Sequence, residues 1–341
     1  MKIGIVGYQG SGKSTFFEWL TGEAADPAMA HSCQAAMAAV PDPRVAELCS
    51  IYQPKKVTVA ALEIVDTPGL SRTHEGSGAK LAAIREAGCL IVVVSALPGS
   101  DALKDLSNFD DDLLLADLDI VSGRIERLRD QVNRPRPNRD ELQRELTALE
   151  PMREVLEAGS PLRDLELSRE QKKAIRAFQL FGEKPRLVIF NVADDEPAAG
   201  RADEPVAADT PSERISLALQ LELLRLDDSE RADFCEEMGV AVHDRDALLR
   251  RITEVSGQML FFTAGDREVR TWMVRNGATA VEAAGNVHTD MARGFIRAEV
   301  MTCNDIIRLG SEREVKASGC LRHEHKEYVV QEGDILLFRH N

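Results

Sequence analysis

An α/β fold is what the sequence predicts: a doubly wound, mostly parallel sheet interrupted by an antiparallel helical hairpin and followed by a small α+β module. Three observations lead there. Short, continuously apolar, β-branched runs recur between helical patterns, as strands covered on both faces do. One long stretch rich in Leu, Glu and Arg carries its apolar residues at helical spacing. From residue 258 onward the pattern turns to strands alternating with single short helices.

Residues 1–7 (MKIGIVG) are short, apolar and end at a glycine, so they read as a buried strand. Residues 62–66 (LEIVD), 89–95 (CLIVVVS) and 186–191 (RLVIFN) are three more such runs. Between the third and fourth lies DLLLADLDIVSGRIERLRDQV, with Leu114, Leu118, Val121, Ile125 and Leu128 on one stripe and charges opposite. A break at Asn133-Arg-Pro-Arg-Pro137 precedes a second helical run, RDELQRELTALEPMREVLEAG, which predicts two antiparallel helices joined by a tight connection. Residues 192–210 (VADDEPAAGRADEPVAADT) lack periodicity and read as a loose loop. FFTAG, GFIRAEV, YVV and DILLFRH supply the strands of the last module.

Composition narrows the class. The chain has 341 residues, 44% hydrophobic and 29% charged, enough for a sizeable core in two or three domains. No apolar run approaches a membrane span, the start goes straight into a strand, and six scattered cysteines show no C-x-x-C pair or zinc spacing. Reduced thiols and a cytoplasmic location are the expectation. Net charge is −15, distributed as −7 over residues 1–121, +3 over 122–186, −10 over 187–257 and −1 over 258–341. Bulk attraction to nucleic acid is thereby disfavoured, although a local basic face on the second or fourth stretch is not.

The most informative segment is Gly7-Tyr-Gln-Gly-Ser-Gly12-Lys13-Ser14-Thr15, a full G-x-x-x-x-G-K-S/T match between a strand and a helical pattern. Its glycines let backbone N–H groups turn toward phosphates, and the helix N-terminus favours negative charge. Lys13 is expected at the β- and γ-phosphates and Ser14 at Mg²⁺. Asp66-Thr-Pro-Gly69 follows the second strand, where the carboxylate can serve Mg²⁺ and the Gly69 N–H a γ-phosphate. The next residues, SRTHEGSGAK, are small and polar enough to move between nucleotide states. Asn191-Val192-Ala193-Asp194 ends the fourth strand, where a base-recognition motif belongs, with Ser216-Leu217-Ala218 as a second base-facing loop. Val192 stands where the guanine-specific motif N-K-x-D carries Lys; a plain strand-end turn is the rival reading of Asn191.

These motifs, the inserted hairpin and further segments resemble the YchF family of Obg-related phosphate-loop NTPases. The segments are VPDPRVAELCSIYQPKK (40–56), ADLDIVSGRIERL (116–128), LDDSERADFCEEMGV (226–240) and FFTAGDREVRTWMVRNGATAVEAAGNVHTDMARGFIRAEV (261–300), continuing through YVVQEGDILLFRHN (328–341). The resemblance implies a P-loop NTPase domain in two parts (1–110 and 181–257), a helical coiled-coil insertion (111–180) and a C-terminal TGS domain of β-grasp fold (258–341). It implies Mg²⁺-dependent hydrolysis of ATP, with GTP as the alternative, and ribosome binding in translation, through the large subunit or the intersubunit face. Gly10, Ser11, Gly12, Lys13, Ser14 and Thr15 would hold phosphates, Ser14 and Asp66 the metal, and Lys13, Asp66 and Gly69 would carry catalysis. Asn191, Val192, Asp194, Ser216, Leu217 and Ala218 would lie at the base. Leu70 falls where Ras-type enzymes carry the Gln that positions water, so turnover is expected to be slow without a partner.

The chain departs from the family pattern in several places. Gln9, Gly10 and Ser11 replace Pro, Asn and Val; Ala30 falls where the Mg²⁺-linked Thr of the first switch would be; segment 96–115 is short and lacks its usual His; and Asp194 replaces Glu. A nucleotide-sensing scaffold that binds ATP or GTP with little hydrolysis is therefore the alternative function. His31 and His74, in the two switches, are expected to be exposed bystanders. His323 and His325 are expected in a charged turn in preference to a metal pair. For His288, packing and partner contact both stand. The Arg and Lys residues of 122–186 either touch rRNA or form a solvated, ion-paired hairpin face, and the TGS domain is a second candidate for rRNA contact.

Overall fold

The structure is a computed structural model in which residues 1–26, 28, 32–72, 77–134, 137–162, 165–194 and 210–341 are described. Ala30, His31, His74 and most of the 192–210 loop lie outside the described residues.

The chain runs β1 (Lys2–Val6), α1 (Lys13–Thr21), β2 (Gln34–Ala39), α2 (Pro43–Tyr52), β3 (Lys56–Thr58), β4 (Ala61–Asp66), α3 (Ser77–Arg85) and β5 (Cys89–Ser95). It continues with α4 (Ala102–Val132), α5 (Arg139–Glu157), α6 (Arg169–Ile175), β6 (Arg186–Asn191), β7 (Ser212–Ile215), α7 (Leu217–Arg225), α8 (Asp228–Met238) and α9 (Arg245–Val255). The last part holds β8 (Gln258–Ala264), β9 (Glu268–Arg275), α10 (Ala280–Val287), α11 (Thr289–Arg293), β10 (Phe295–Thr302), α12 (Cys303–Leu309), α13 (Glu312–Ala317), β11 (Arg322–Glu324) and β12 (Asp334–His340). Two compact units emerge: residues 1–36 with 63–243, and residues 37–62 with 244–341.

The first unit is built on a sheet of order β2-β4-β1-β5-β6-β7, with β4, β1, β5, β6 and β7 paired in parallel. The four apolar runs of the sequence are its central strands, and their burial is nearly continuous, as a sheet covered on both faces requires. This is the P-loop NTPase fold. Helix α4 is one continuous element that serves two cores. Its first turns bury Leu106, Phe109 and Leu113 in the cluster formed by Val92, Val94, Val188 and Phe190 of the sheet. Its later turns bury Val121, Ile125, Leu128 and Val132 against Leu142, Leu146, Leu149 and Met152 of α5, which completes the antiparallel hairpin. Asp101 caps the start of α4, accepting from the Lys104 N–H.

At the junction of sheet and hairpin, Asp117 of α4 is almost wholly buried. Its carboxylate accepts from the backbone N–H groups of Phe181 (3.0 Å) and Gly182 (2.8 Å) and from Arg85 at the end of α3 (2.9 Å). The Arg85 guanidinium lies 4.0 Å from the centroid of the Phe181 ring. Burial pushes the Asp117 carboxyl upward, and the amides and Arg85 pull it back.

The second unit is a β-grasp sheet of order β11-β10-β12-β8-β9-β3, with α10 packed on the face that holds Phe261, Ala298, Val300, Leu336 and Phe338. β8 and β9 form an antiparallel hairpin and β12 runs parallel to β8. One edge strand comes from far away in sequence: β3 pairs in parallel with β9, Lys56 opposite Glu268 through Thr58 opposite Arg270. Helix α2 is fastened there too. Arg44 bridges Asp42 and Glu332 and lies 4.9 Å from the Phe262 ring centroid, while the Tyr52 hydroxyl donates to Glu312 (3.0 Å). No helix among the described residues is long and apolar enough to cross a membrane.

Candidate nucleotide site

The loop between β1 and α1 is shaped by its glycines and left open at its helix. Gly12 caps α1 with φ 103°, and a Cβ there would come within 2.5 Å of the Asn191 amide nitrogen. No side chain caps α1 and no acid occupies its first turn, so its N-terminal N–H groups and positive dipole end have no anionic partner from the chain. Gly10 and Ser14 are exposed, Thr15 is half-buried, and Ser11 is buried with its hydroxyl oxygen lacking any partner.

Lys13 is buried, and its ammonium donates to the Tyr8 carbonyl of its own loop at 2.8 Å. Burial lowers the Lys13 pKa to about 8, opposed by Asp66 and reinforced by Lys80. Ser14 donates to Asp66 Oδ2 at 2.7 Å, while Asp66 Oδ1 is buried with no partner. Burial raises the Asp66 carboxyl, against the pull of Ser14 and Lys13. Both unsatisfied oxygens lie in the loop region, and a buried polar atom without a partner costs about 1–3 kcal/mol unless something meets it.

The segment after β4 is clasped to the loop. Thr67 donates through its hydroxyl to Ile5 O (2.6 Å), the Leu70 N–H to Gly7 O (3.1 Å), and the Gln9 N–H to Leu70 O (3.0 Å). Leu70 is buried in the core cluster. Gly69 is confined: a Cβ would meet Lys13 Nζ at 2.7 Å and Gln9 N at 2.9 Å. Lys80 of α3 donates to the Gly69 carbonyl at 2.9 Å, placing a second ammonium beside the same glycine.

The expected base-facing residues divide. Asn191 turns inward, donating to Ser11 O (3.1 Å) and accepting from the Leu217 N–H (3.3 Å), so it ties the phosphate loop to the start of α7. Val192, expected at the base by its place in the motif, has its side chain buried in the sheet core and donates its N–H to Ile215 O, so that side chain is not offered to a base. Leu217 is buried against Gly12. Asp194 accepts from the Ser216 hydroxyl, and Ala218 is exposed. Sequence reasoning missed Tyr8, whose partner Asp112 is 104 residues away, and Lys80, which reaches back eleven residues to Gly69; it expected Asn191 at the base or as a plain turn residue, and the side chain ties the loop to α7.

Elsewhere, His288 accepts from the Asp290 N–H (3.2 Å) and so caps α11. Among the described residues no group of three His, Cys, Asp or Glu side chains could hold a metal, and His325 sits beside Glu327 at 3.5 Å on the surface. On the hairpin, Arg124 pairs with Glu145 (2.7 Å), Arg129 with Glu150 (2.7 Å) and Arg153 with Glu157 (3.3 Å).

The donor set near Asp66 fits Mg²⁺ in one specific way. Two protein oxygens, Ser14 Oγ and a carboxylate with a free buried lone pair, suit a hard cation that takes its other ligands from phosphate and water.

Comparison with known proteins agrees with this architecture. Residues 2–120 match the family model described as "50S ribosome-binding GTPase", and residues 259–341 match the C-terminal YchF-GTPase model described as "Protein of unknown function (DUF933)". The Haemophilus influenzae protein named "Ribosome-binding ATPase YchF" is 34% identical, with 100% of this chain and 99% of that protein covered. The "Obg-like ATPase 1" of Oryza sativa subsp. japonica is 33% identical, covering 100% of this chain and 92% of that protein. The solved structure of the Schizosaccharomyces pombe YchF GTPase superimposes with a TM-score of 0.85 at 26% identity, covering 99% and 97% of the two chains. The chain belongs to the YchF family.

Proposed function

We propose that this YchF-family chain is a Mg²⁺-dependent nucleoside triphosphatase that takes ATP at least as readily as GTP, turns over slowly by itself, and acts on the ribosome. The observation that carries the reading is the open, uncapped start of α1 beside two unsatisfied buried oxygens, Ser11 Oγ and Asp66 Oδ1. Ribosome binding rests on the names of its relatives, the Haemophilus influenzae ribosome-binding ATPase among them.

In this reading Gly10, Ser11, Gly12, Lys13, Ser14 and Thr15 surround the phosphates, and the Lys13 ammonium exchanges the Tyr8 carbonyl for phosphate oxygen. Ser14 and Asp66 would hold Mg²⁺, which neutralises charge developing on the phosphoryl group. The Gly69 N–H would serve the γ-phosphate beside Lys13, and Lys80 holds the next peptide through the Gly69 carbonyl. Leu70, buried and bonded to the loop through its backbone, has no polar side chain to orient water, so the chain by itself lacks that group at this position. At the base, Asn191 is spent on Ser11 O and Leu217 N–H, and Asp194 accepts from Ser216. With Val192 in place of the Lys of N-K-x-D, guanine loses one of its usual contacts, which favours ATP at least equally.

The test is calorimetric titration with Mg²⁺·ATP and Mg²⁺·GTP, followed by kcat with and without ribosomes. ATP binding at least as tight as GTP, and turnover accelerated by ribosomes, are expected. Exclusive GTP binding or rapid partner-independent turnover would overturn this. Binding without measurable hydrolysis under both conditions would favour the scaffold reading.

A further inference from the structure

The phosphate loop is anchored to the helical hairpin by a side chain that the loop motif itself does not require. Tyr8 occupies a variable position of G-x-x-x-x-G-K-S, yet it is buried, and its hydroxyl donates to Asp112 of α4 at 2.8 Å. Its ring meets Phe109 of the same helix edge-on, 5.6 Å between centroids. Arg72, three residues beyond Gly69, lies 5.1 Å from the centroid of the Tyr8 ring and pairs with Asp105 of α4 at 2.6 Å. Asp105, Phe109 and Asp112 are spaced by four and three residues, so they share one face of the helix. A second attachment follows at the end of α3, where Arg85 reaches Asp117.

Tyr8, Leu106 and Phe109 share one buried cluster, so the ring is packed against the helix as well as bonded to it. A void of about 10 Å³, the size of about one water, lies beside them, bordered by Gly7, Tyr8, Ser11, Arg72, Asp105 and Phe109. The loop therefore rests on α4 through two polar ends and one packed ring, with the unpartnered Ser11 hydroxyl on the wall of that void. Farther along the same helix, its buried stripe passes into the hairpin core through Val121 and Ile125 without a break. A displacement of the loop that moves Tyr8 has a continuous rod to act on.

We propose that Tyr8 is a positioning residue that couples occupancy of the phosphate loop to the set of α4, so that the α4–α5 hairpin reads the nucleotide state through Tyr8–Asp112 and Arg72–Asp105. This rests on the nucleotide-binding reading above and adds to it the route of regulation. By linkage, a partner that holds the hairpin then alters nucleotide affinity by the same factor.

The experiment is amide hydrogen exchange of the full chain, with and without Mg²⁺ and a non-hydrolysable ATP analogue, followed over residues 118–157. In the wild type, the analogue changes exchange along that stretch. Asp112→Ala, which removes the acceptor on α4, abolishes most of the hairpin response. Tyr8→Phe keeps the ring and loses the hydroxyl; it reproduces Asp112→Ala, and the double variant adds nothing further. If Asp112→Ala fails to fold, Tyr8→Phe decides alone. An unchanged hairpin in wild type that binds the analogue, or a full hairpin response in Tyr8→Phe, overturns the inference and leaves the proposed function standing. No binding of the analogue by wild type overturns the proposed function instead.

Discussion

The two units differ in whether every buried polar group is answered. In the second, each such group is answered. Glu299 receives Arg339 through two bonds (3.0 and 3.1 Å), Asp334 accepts from the Tyr328 hydroxyl (2.8 Å) and the Gln331 N–H (2.9 Å), and Thr271 accepts from the Ala60 N–H (2.6 Å). In the first, Asp117 and Thr67 are answered likewise, but Ser11 Oγ and Asp66 Oδ1 are buried oxygens left without a hydrogen-bond partner, the other such atoms there being arginine Nε groups; among the described residues no such orphan lies in the second unit. Satisfied buried polar groups specify a sheet; two unsatisfied oxygens at an uncapped helix start are what the proposed ligand would answer.

Substitutions break or sharpen this contrast, the most damaging first. Lys13→Ala removes the charged donor of the loop and is expected to weaken Mg²⁺·ATP binding about 100-fold, the scale of a charge-assisted hydrogen bond, measured by calorimetry. Asp334→Ala strips the acceptor from Tyr328 and Gln331 and should destabilise the second unit by about 2 kcal/mol in urea unfolding, with nucleotide affinity unchanged. Equal damage to nucleotide binding would erase the distinction between the two kinds of polar group.

A pH experiment comes next. Lys13 has its pKa lowered to about 8, so the free site holds fewer protons than an unfolded lysine between pH 8 and the ordinary lysine range. Phosphate favours the ammonium, so binding near pH 8 takes up about half a proton, and affinity falls by up to about tenfold per pH unit above it. Calorimetry in two buffers of different ionisation enthalpy reads the uptake directly; binding with no proton uptake contradicts it.

Asp66→Asn supplies the sharpest sign. It discharges a carboxyl that burial disfavours and keeps an acceptor for Ser14, while taking from the buried Lys13 ammonium the charge that supports it, so the ligand-free fold should keep its stability even as Mg²⁺-dependent binding is lost. A loss of stability would make Asp66 structural like Asp334. Smallest of all, Arg129→Ala removes an exposed hairpin pair with Glu150 and should shift stability by no more than about 0.5 kcal/mol.

What the residues disclosed follows the same physics. The central strands were legible because burial on both faces demands unbroken apolar runs such as CLIVVVS. The edge strands β2 (QAAMAA), β3 (KVT) and β7 (SERI) were not, since short edge segments carry small or polar residues. The phosphate loop was legible because backbone geometry requires its glycines. Tyr8 was not, because its partner stands 104 residues away and no local rule links them. Val192 looked like a lost base-reading lysine and is explained more simply as a core side chain at the end of β6.

The edge strand β3 has a consequence in time. Its partner β9 begins at Glu268, more than two hundred residues later than Lys56 in the order of synthesis. At about 5–20 residues per second, Lys56–Thr58 and the α2 anchors Arg44 and Tyr52 emerge on the order of ten seconds or more before Glu332 and Glu312 exist to receive them. A nascent chain must shelter this segment until translation is almost finished, and a fragment started at residue 258 is born without the strand that seals its border.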